Sequence, residues 1–313
     1  MSVPVPKRDE VGEDQVRRLV AEQFPQWAGL PVTRVAASGW DNQTFHLGDR
    51  MSVRLPSAAE YAQAVAKEHR WLPALAPHLP LPIPTPLACG QPGAGYPFVW
   101  SVYGWVDGSP ATADQIADPV RFATDLAGFL AALRAVDSDG GPRPGLHNWF
   151  RGGPLATYDE QTRDALTRLT GHIDVALARA VWTAALDATW DGVDRWFHGD
   201  VADGNLLQRD GQLAAVIDFG TCGVGDPACD LVVAWTLLTP EARSAFRSRL
   251  AADDAEWSRG RGWALWKALI LLADNPADVG AARVLDEILR STDRWSSRLG
   301  SRATSGSPPP SVP

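Results

Sequence analysis

The stretch at residues 195–231 reads RWFHGDVADGNLLQRDGQLAAVIDFGTCGVGDPACDL and is the most informative part of the sequence. Two apolar runs, NLL and QLAAVI, flank a DG pair that favours a two-residue hairpin turn. We therefore predict two antiparallel strands that carry the chain out from Asn205 and back to Asp218. This return would place Asp218 beside Asp200 and Asn205, so that three oxygen-bearing side chains converge.

These three side chains suit the chemistry of phosphoryl transfer. The reaction needs an oriented hydroxyl, and it needs hard cations to neutralise the charge that develops on the phosphate. Two carboxylates and one amide can meet both needs. A single aspartate in a Gly-rich loop is more often a turn former, and we interpret Asp203 and Asp210 in that way. The order and spacing of Asp200, Asn205 and Asp218 favour a functional site.

The three motifs in this stretch also carry a family resemblance. HGDVADGN at 198–205, IDFG at 217–220 and GDPACDL at 225–231 together resemble the catalytic region of aminoglycoside phosphotransferases. Members of that family are small-molecule kinases with a protein-kinase-like fold. The resemblance implies an α+β fold of two lobes. The N-terminal lobe would hold a small antiparallel β-sheet and one main helix, and the C-terminal lobe would be larger and mostly helical.

The resemblance implies a role for each matching residue. Asp200 would be the catalytic base that accepts the proton of the substrate hydroxyl. His198 would brace the loop of this base, since a histidine in such a place is more often a buried support than a proton-transfer group. Asn205 and Asp218 would hold Mg²⁺ against the phosphates of ATP or GTP. The acceptor would be a small molecule with a hydroxyl group.

Hydrophobic periodicity predicts the elements around this region. Residues 10–24 have the spacing of a short amphipathic helix, and residues 32–55 are typical of two or three antiparallel strands with tight turns. Ser57 is predicted to cap the helix that follows. The segment PFVWSVYGWV again has strand composition, whereas residues 118–136 present one apolar helical face.

These elements predict the division of the chain. We expect a nucleotide-binding lobe with its connector at 1–104 and a catalytic, acceptor-binding lobe at 105–300. The last residues, 301–313, lack apolar side chains for a core and are predicted to be a disordered tail. Asp226 and Asp230, in the GDPACDL motif, are predicted to fix the geometry of the catalytic loop.

The nucleotide is expected to contact the first lobe. The turn SGWDNQTF suits main-chain N–H groups that meet phosphate oxygens; its candidate residues are Gly39, Trp40, Asp41 and Asn42. The strand SVRLP offers Arg54, where the family more often has lysine, and Arg54 would pair with Glu68 of the following helix. Lys67, one step around that helix, should face elsewhere. The connector would bind the edge of the base through Ser101, Val102, Tyr103 and Gly104.

Composition excludes several classes of partner. The 313 residues carry 29 basic and 37 acidic side chains, for a net charge of -8, which repels nucleic acids and anionic membranes. We therefore expect no nucleic-acid and no membrane partner. Three cysteines, with no CxxC pair, fit reduced thiols in the cytoplasm. The acidic balance could help to attract a cationic acceptor, although solubility explains it equally well.

The acceptor is the least determined part of this hypothesis. Specificity should lie in the later helices of the second lobe, near Asp253, Asp254, Glu256, Trp263, Trp266 and Asp274. An aminoglycoside or related antibiotic is the first expectation, and a macrolide or a metabolite alcohol is the alternative. A pseudokinase that only binds nucleotide is a further alternative, because arginine stands at position 54.

Overall fold

The computed structural model describes residues 11–36, 39 and 41–290. Trp40 and the predicted tail at 301–313 lie outside the described residues. The first lobe is a five-stranded antiparallel sheet in the order β1-β2-β3-β5-β4. Its strands are β1 (Val32–Arg34), β2 (Asn42–Leu47), β3 (Met51–Pro56), β4 (Pro86–Gly90) and β5 (Trp100–Gly104). The predicted strands at 32–55 are thus confirmed.

Two helices pack on this sheet. Helix α1 (Glu13–Gln23) buries Val16, Leu19 and Val20 against the apolar face of the strands, as its spacing predicts. Helix α2 (Ala59–Leu75) lies on the other side and faces the second lobe. Each helix has to bury an apolar stripe to be stable, so the sheet is covered on both faces.

The predicted cap of α2 is wrong. The residue at the N-cap position is Ala58, and no side chain caps the helix there. Ser57 instead donates its hydroxyl to the main-chain oxygen of Asp41, with an Oγ to O distance of 3.0 Å. The serine therefore ties the end of β3 to the turn before β2, a contact that local sequence patterns do not reveal.

The second lobe is mostly helical. Helix α3 begins where Asp118 accepts hydrogen bonds from the main-chain N–H groups of Val120 and Arg121, and its apolar face enters the core as predicted. The helices of this lobe are α3 (Pro119–Ala135), α4 (Asp159–Arg168), α5 (Val175–Asp187), α6 (Val233–Thr236), α7 (Pro240–Leu250) and α8 (Asp254–Asp274). Residues 279–290 are also helical. Within the described residues, no helix is long and apolar enough to cross a membrane.

Short strands in this lobe position the segment that carries Asp200, Asn205 and Asp218. They are β6 (Ser109–Pro110), β7 (Arg195–Phe197), β8 (Leu206–Arg209), β9 (Gln212–Val216) and β10 (Gly223–Gly225). Strands β8 and β9 pair antiparallel, and Leu206 lies opposite Val216. Asp210 and Gly211 form the turn with φ angles of 53° and 74°, so the predicted DG hairpin is confirmed. The hairpin ends in a hydrogen bond from Ile217 N to Asn205 O of 2.9 Å.

We expect the Gly211→Ala variant to lose more stability than Gly192→Ala. Both glycines have left-handed backbone, with φ of 74° and 76°. A methyl group at Gly192 meets nothing within 4 Å, whereas one at Gly211 would lie 2.6 Å from Ala117 Cβ. The backbone penalty alone should cost about 1–2 kcal/mol at each position.

Overpacking should add at least about 1 kcal/mol at Gly211 only. Urea unfolding curves of the two variants and of the parent protein measure this difference. Equal losses of stability would show that the turn is not packed against residue 117.

Candidate active site

His198 holds the catalytic loop from inside the protein. Its side chain is fully buried, and its Nε2 atom lies 2.9 Å from the main-chain oxygen of Ile217. On the other side of the ring, Nδ1 accepts a hydrogen bond from Asp200 N at 3.2 Å. The imidazole thus joins the loop that carries Asp200 to the end of the hairpin that carries Asp218. This placement agrees with the bracing role assigned to His198 by resemblance.

Asp230 fixes the same loop through its carboxylate. Its two oxygens accept hydrogen bonds from the main-chain N–H groups of His198, at 2.9 Å, and of Gly199, at 2.7 Å. Burial raises the pKa of Asp230, and the two amide donors oppose that rise. Asp226, four residues earlier, forms a two-point ion pair with Arg259. Both aspartates fix loop geometry in the structure.

Asp200 and Asn205 contact each other directly. The Nδ2 atom of Asn205 donates to the main-chain oxygen of Asp200 at 2.9 Å and to its carboxylate Oδ2 at 3.1 Å. The other carboxylate oxygen of Asp200 lies 3.3 Å from Lys267 Nζ. Because the amide nitrogen of Asn205 is engaged, its amide oxygen is the atom that could bind a metal.

Asp218 has a strained main chain and a paired side chain. Its φ angle is 66°, a left-handed value that is uncommon outside glycine and that often marks functional sites. Its Oδ1 atom accepts a hydrogen bond from Arg54 Nη2 at 3.0 Å. Burial raises the pKa of Asp218, but the Arg54 guanidinium outweighs burial and holds this pKa below its usual value.

Arg54 also faces Glu68, as the family pattern implies. The Nη1 atom of Arg54 lies 3.8 Å from Glu68 Oε1, and the hydroxyl of Tyr103 donates to the other oxygen of Glu68. Glu68 is only 4% exposed, which rules out a solvated helix charge. Burial raises its pKa, and Arg54 opposes that rise. Arg54 therefore lies between one carboxylate of each lobe.

Lys67 has a role in the site that the sequence did not reveal. Its Nζ atom donates to the main-chain oxygens of Gly220, at 2.6 Å, and of Cys222, at 3.1 Å. It also lies 3.1 Å from His147 Nδ1. Lys67 does face away from Arg54, as helix geometry predicts. Lys67 contacts the loop directly after Asp218, and no local motif predicts that contact.

Part of the predicted phosphate turn lies at a cavity between the two lobes. Asp41 and Asn42 line it together with Arg54 and Asp218. Burial raises the pKa of Asp41 to about 6, and the nearby carboxylates of Asp218 and Asp200 add to this rise while Arg54 opposes it. Asp41 is therefore close to Asp200 and Asp218. Gly39 is described but is not among the lining residues, and Trp40 lies outside the described residues.

The predicted connector residues lie within the sheet. Ser101, Val102 and Tyr103 of β5 pair with β3 on one edge and with β4 on the other. Their main-chain groups are thus engaged in the two ladders, and Gly104 N donates to Thr85 O. The chain leaves the sheet only at Trp105. Ser101 and Tyr103 also line the cavity that Arg54 and Asp218 line, and a base contact at 101–104 stays a prediction.

A second cavity adjoins Asp200 on its far side. Trp263 and Trp266 of α8 line it, as do Arg151 and Lys267. The remaining predicted acceptor residues lie elsewhere. Asp253 and Glu256 line a separate cavity near Arg134, Asp254 pairs with Arg247, and Asp274 ends helix α8. Two of the six residues predicted to select the acceptor therefore reach this cavity.

The donor atoms of the site fit Mg²⁺. Within the part of the chain that the structure describes, no group of three or more His, Cys, Asp and Glu side chains could hold a metal by itself. Magnesium is usually bound by one or two carboxylates together with substrate phosphates. The carboxylate of Asp218 and the amide oxygen of Asn205 are hard ligands of this kind. They fit an ion that the nucleotide phosphates help to hold.

The chain belongs to the phosphotransferase enzyme family, whose model matches residues 32–263. Among curated proteins it is similar to YcbJ, an uncharacterised protein of Bacillus subtilis (strain 168). The two are 26% identical over 165 residues, which is 51% of this chain and 50% of the relative. The chain thus spans about half the length of the curated relative that it matches.

Solved structures share the fold over most of the chain. The GDP complex of wild-type aminoglycoside 2'-phosphotransferase-IIIa superposes with a TM-score of 0.65 at 18% identity, covering 92% of this chain and 100% of that one. The streptomycin-ATP-APH(2")-IIa ternary complex gives 0.61 at 15%, covering 90% and 97%. Macrolide 2'-phosphotransferase MphH from Brachybacterium faecium gives 0.56 at 22%, covering 88% and 97%. These likenesses confirm the two-lobed, protein-kinase-like fold.

The Asp230→Ala variant should be markedly destabilised. It would leave the buried N–H groups of His198 and Gly199 without acceptors, and each unsatisfied donor costs about 1–3 kcal/mol. Asp164→Ala removes an exposed helix carboxylate and should stay within about 0.5 kcal/mol of the parent protein. Guanidinium unfolding at neutral pH compares the two. A loss at Asp230 as small as that at Asp164 would mean that the loop is held by other contacts.

Proposed function

We propose that this protein is a small-molecule kinase that transfers the γ-phosphate of ATP or GTP to a hydroxyl group, with Mg²⁺ as cofactor. One observation carries the proposal. Asn205 contacts Asp200, Arg54 contacts Asp218, and His198 joins the Asp200 loop to the residue before Asp218, while both aspartates are near enough to Asp41 to raise its pKa. Family membership and the fold of the solved relatives support the same reading.

Each group has a defined task in this proposal. Asp200 accepts the proton of the attacking hydroxyl, and His198 and Asp230 hold its loop in place. Asn205 and Asp218 bind Mg²⁺, which neutralises charge on the phosphates when it is bound. Arg54 takes the place of the usual lysine. Its planar guanidinium can keep one edge on Glu68 and offer another to phosphate oxygens.

The remaining nucleotide contacts follow from the first lobe. Gly39, Asp41 and Asn42 would meet the phosphates through main-chain N–H groups, together with Trp40. The base would lie against the connector at Ser101–Gly104, where Ser101 and Tyr103 line the cavity beside Arg54. The three free cysteines, Cys89, Cys222 and Cys229, support the proposal of a cytoplasmic location.

The acceptor is open among the classes that the motifs imply. An aminoglycoside or related antibiotic is the acceptor that resemblance suggests first, and a macrolide or a metabolite alcohol is the alternative. Asp253, Asp254 and Asp274 would suit a cationic acceptor, but they do not line the cavity beside Asp200. That observation favours the alternatives over a polycation.

We expect Asp200→Asn to lower turnover by about 10² to 10⁴, because the base that accepts the proton is lost while the loop keeps its shape. Asp210→Asn is the matched control, since it changes the same residue type in the exposed hairpin turn, where asparagine also adopts a left-handed backbone. Release of ADP or GDP with a panel of aminoglycosides, macrolides and simple alcohols measures turnover. Equal activity of the two variants would exclude Asp200 as the base.

We expect Mg²⁺ and nucleotide to stabilise the protein together. A nucleotide at about 100 times its Kd should raise the free energy of unfolding by about 2.7 kcal/mol. The Asp218→Asn variant should lose the part of this gain that depends on Mg²⁺, since it removes the metal carboxylate but tolerates a left-handed φ. Thermal unfolding with ATP or GTP, each with Mg²⁺ or EDTA, separates the stabilisation that needs Mg²⁺ from the stabilisation by nucleotide alone.

The same measurement tests the pseudokinase alternative, which is favoured by the direct pairing of Arg54 with Asp218. Stabilisation by nucleotide without transfer to any acceptor would support a binding protein. Transfer that requires Mg²⁺ and is lost in Asp200→Asn would exclude that alternative.

A further inference from the structure

The cavity beside Asp200 is small and has a rigid aromatic wall. Its volume is about 170 Å³, below the range of about 300–1,000 Å³ that is usual for drug-sized ligands. Trp266 is fixed from two sides, since its Nε1 atom donates to Gln161 at 2.8 Å and its ring centre lies 4.1 Å from that of Tyr158. Such a space fits a small acceptor, or one end of a larger one.

The guanidinium of Arg151 lies at this cavity, and one of its nitrogen atoms is fixed by a hydrogen bond. Its central carbon lies 4.9 Å from the ring centre of Trp266 and 5.4 Å from that of Trp263. Its Nε atom donates to the main-chain oxygen of Gly199 at 3.1 Å. Its Nη1 atom is buried and has no hydrogen-bond partner among the described residues. Arg151 lines the cavity and pairs with no carboxylate among the described residues, so its charge is not neutralised by a neighbouring acid.

Lys267 adds a second cation. Its Nζ atom lies 3.3 Å from Asp200 Oδ1, and its side chain is 38% exposed, so some of its three donors face the cavity and solvent. The carboxylates of the cavity are already engaged. Asp200 contacts Lys267 and Asn205, and Asp203 accepts a hydrogen bond from Gly204 N at 2.9 Å. Among the described residues, Arg151 is therefore the cation of this lining that has no carboxylate partner, and Asp203 is the carboxylate that has no cation partner.

We propose that the acceptor is a small alcohol that bears an oxyanion, a carboxylate or a phosphate, which Arg151 and Lys267 bind while the hydroxyl faces Asp200. A guanidinium fork and an ammonium group beside it suit such an anion, and both give hydrogen bonds that are stronger than neutral ones. Trp263 and Trp266 contact the apolar body of the molecule. This inference rests on the proposed kinase function and names its substrate class.

The test compares alcohols of one shape and different charge. The probes are 4-(hydroxymethyl)benzoate, its neutral amide and 4-(hydroxymethyl)benzylamine, with 4-(hydroxymethyl)phenylphosphonate as the phosphate-like arm. Glycerate, glyceramide and glycerol 3-phosphate form a second series without a ring. Binding to the full chain with Mg²⁺ and a non-hydrolysable nucleotide is measured by calorimetry, and transfer is measured separately by release of ADP or GDP.

We expect the anionic member of at least one series to bind about ten-fold or more tightly than the amide and the amine. Lys267→Met and Arg151→Lys should each remove most of that preference, mainly through the KM of the anion where transfer occurs. Arg290→Gln is the matched control, because it removes one positive charge from an exposed ion pair outside the cavity. It should leave the preference unchanged.

Separate measurements of binding and of transfer distinguish the proposed kinase function from the proposed anionic acceptor. Transfer to amides, amines or aminoglycosides as readily as to anions would overturn the anionic acceptor and leave the kinase in place. Anion binding that depends on Arg151 and Lys267, with no transfer to any acceptor, would support the anion site and count against the kinase. A preference that survives both substitutions, or no binding of any probe, would overturn the anion site.

Discussion

The site depends on the contact of one arginine with carboxylates of both lobes. Arg54 lies on β3, Glu68 on α2 and Asp218 at the end of the catalytic hairpin, and the guanidinium bridges the two acids. Removing one member of such a buried set leaves the others uncompensated, which costs more than the pair contributes while intact. The interaction therefore fixes how the sheet, the helix and the hairpin stand relative to one another, and the other groups of the site are placed by that arrangement.

The same contact leaves an excess of negative charge. One guanidinium faces Glu68 and Asp218, and burial together with the nearby carboxylates of Asp218 and Asp200 raises the pKa of Asp41 to about 6. A low-dielectric site with more carboxylates than cations favours a bound metal ion, since attraction between unlike charges is strong there. A divalent cation of the proposed kind would offset this excess.

Much of this site could be predicted from the sequence, for a definable reason. Asp200, Asn205 and Asp218 lie on one short segment whose hairpin turn is a local signal, so their convergence follows from strand and turn chemistry alone. The Ser57 cap was wrong, because the main-chain group that a serine hydroxyl meets depends on the folded chain. Arg151 could not be found in this way. It reaches the catalytic loop from 48 residues away through a contact that only the folded chain creates.

The net charge of the chain likewise does not predict the charge around Asp200. The net charge of -8 describes the whole surface, but exposed charges more than about 8 Å apart are largely screened at physiological ionic strength. The field at Asp200 is therefore set by the few side chains that face it. The chain has three lysines, of which Lys7 lies outside the described residues. The other two both contact catalytic segments, Lys67 at the loop after Asp218 and Lys267 at Asp200. The two lysines that the structure describes thus both lie at the candidate site, and local charge rather than net charge is the guide to what that site can bind.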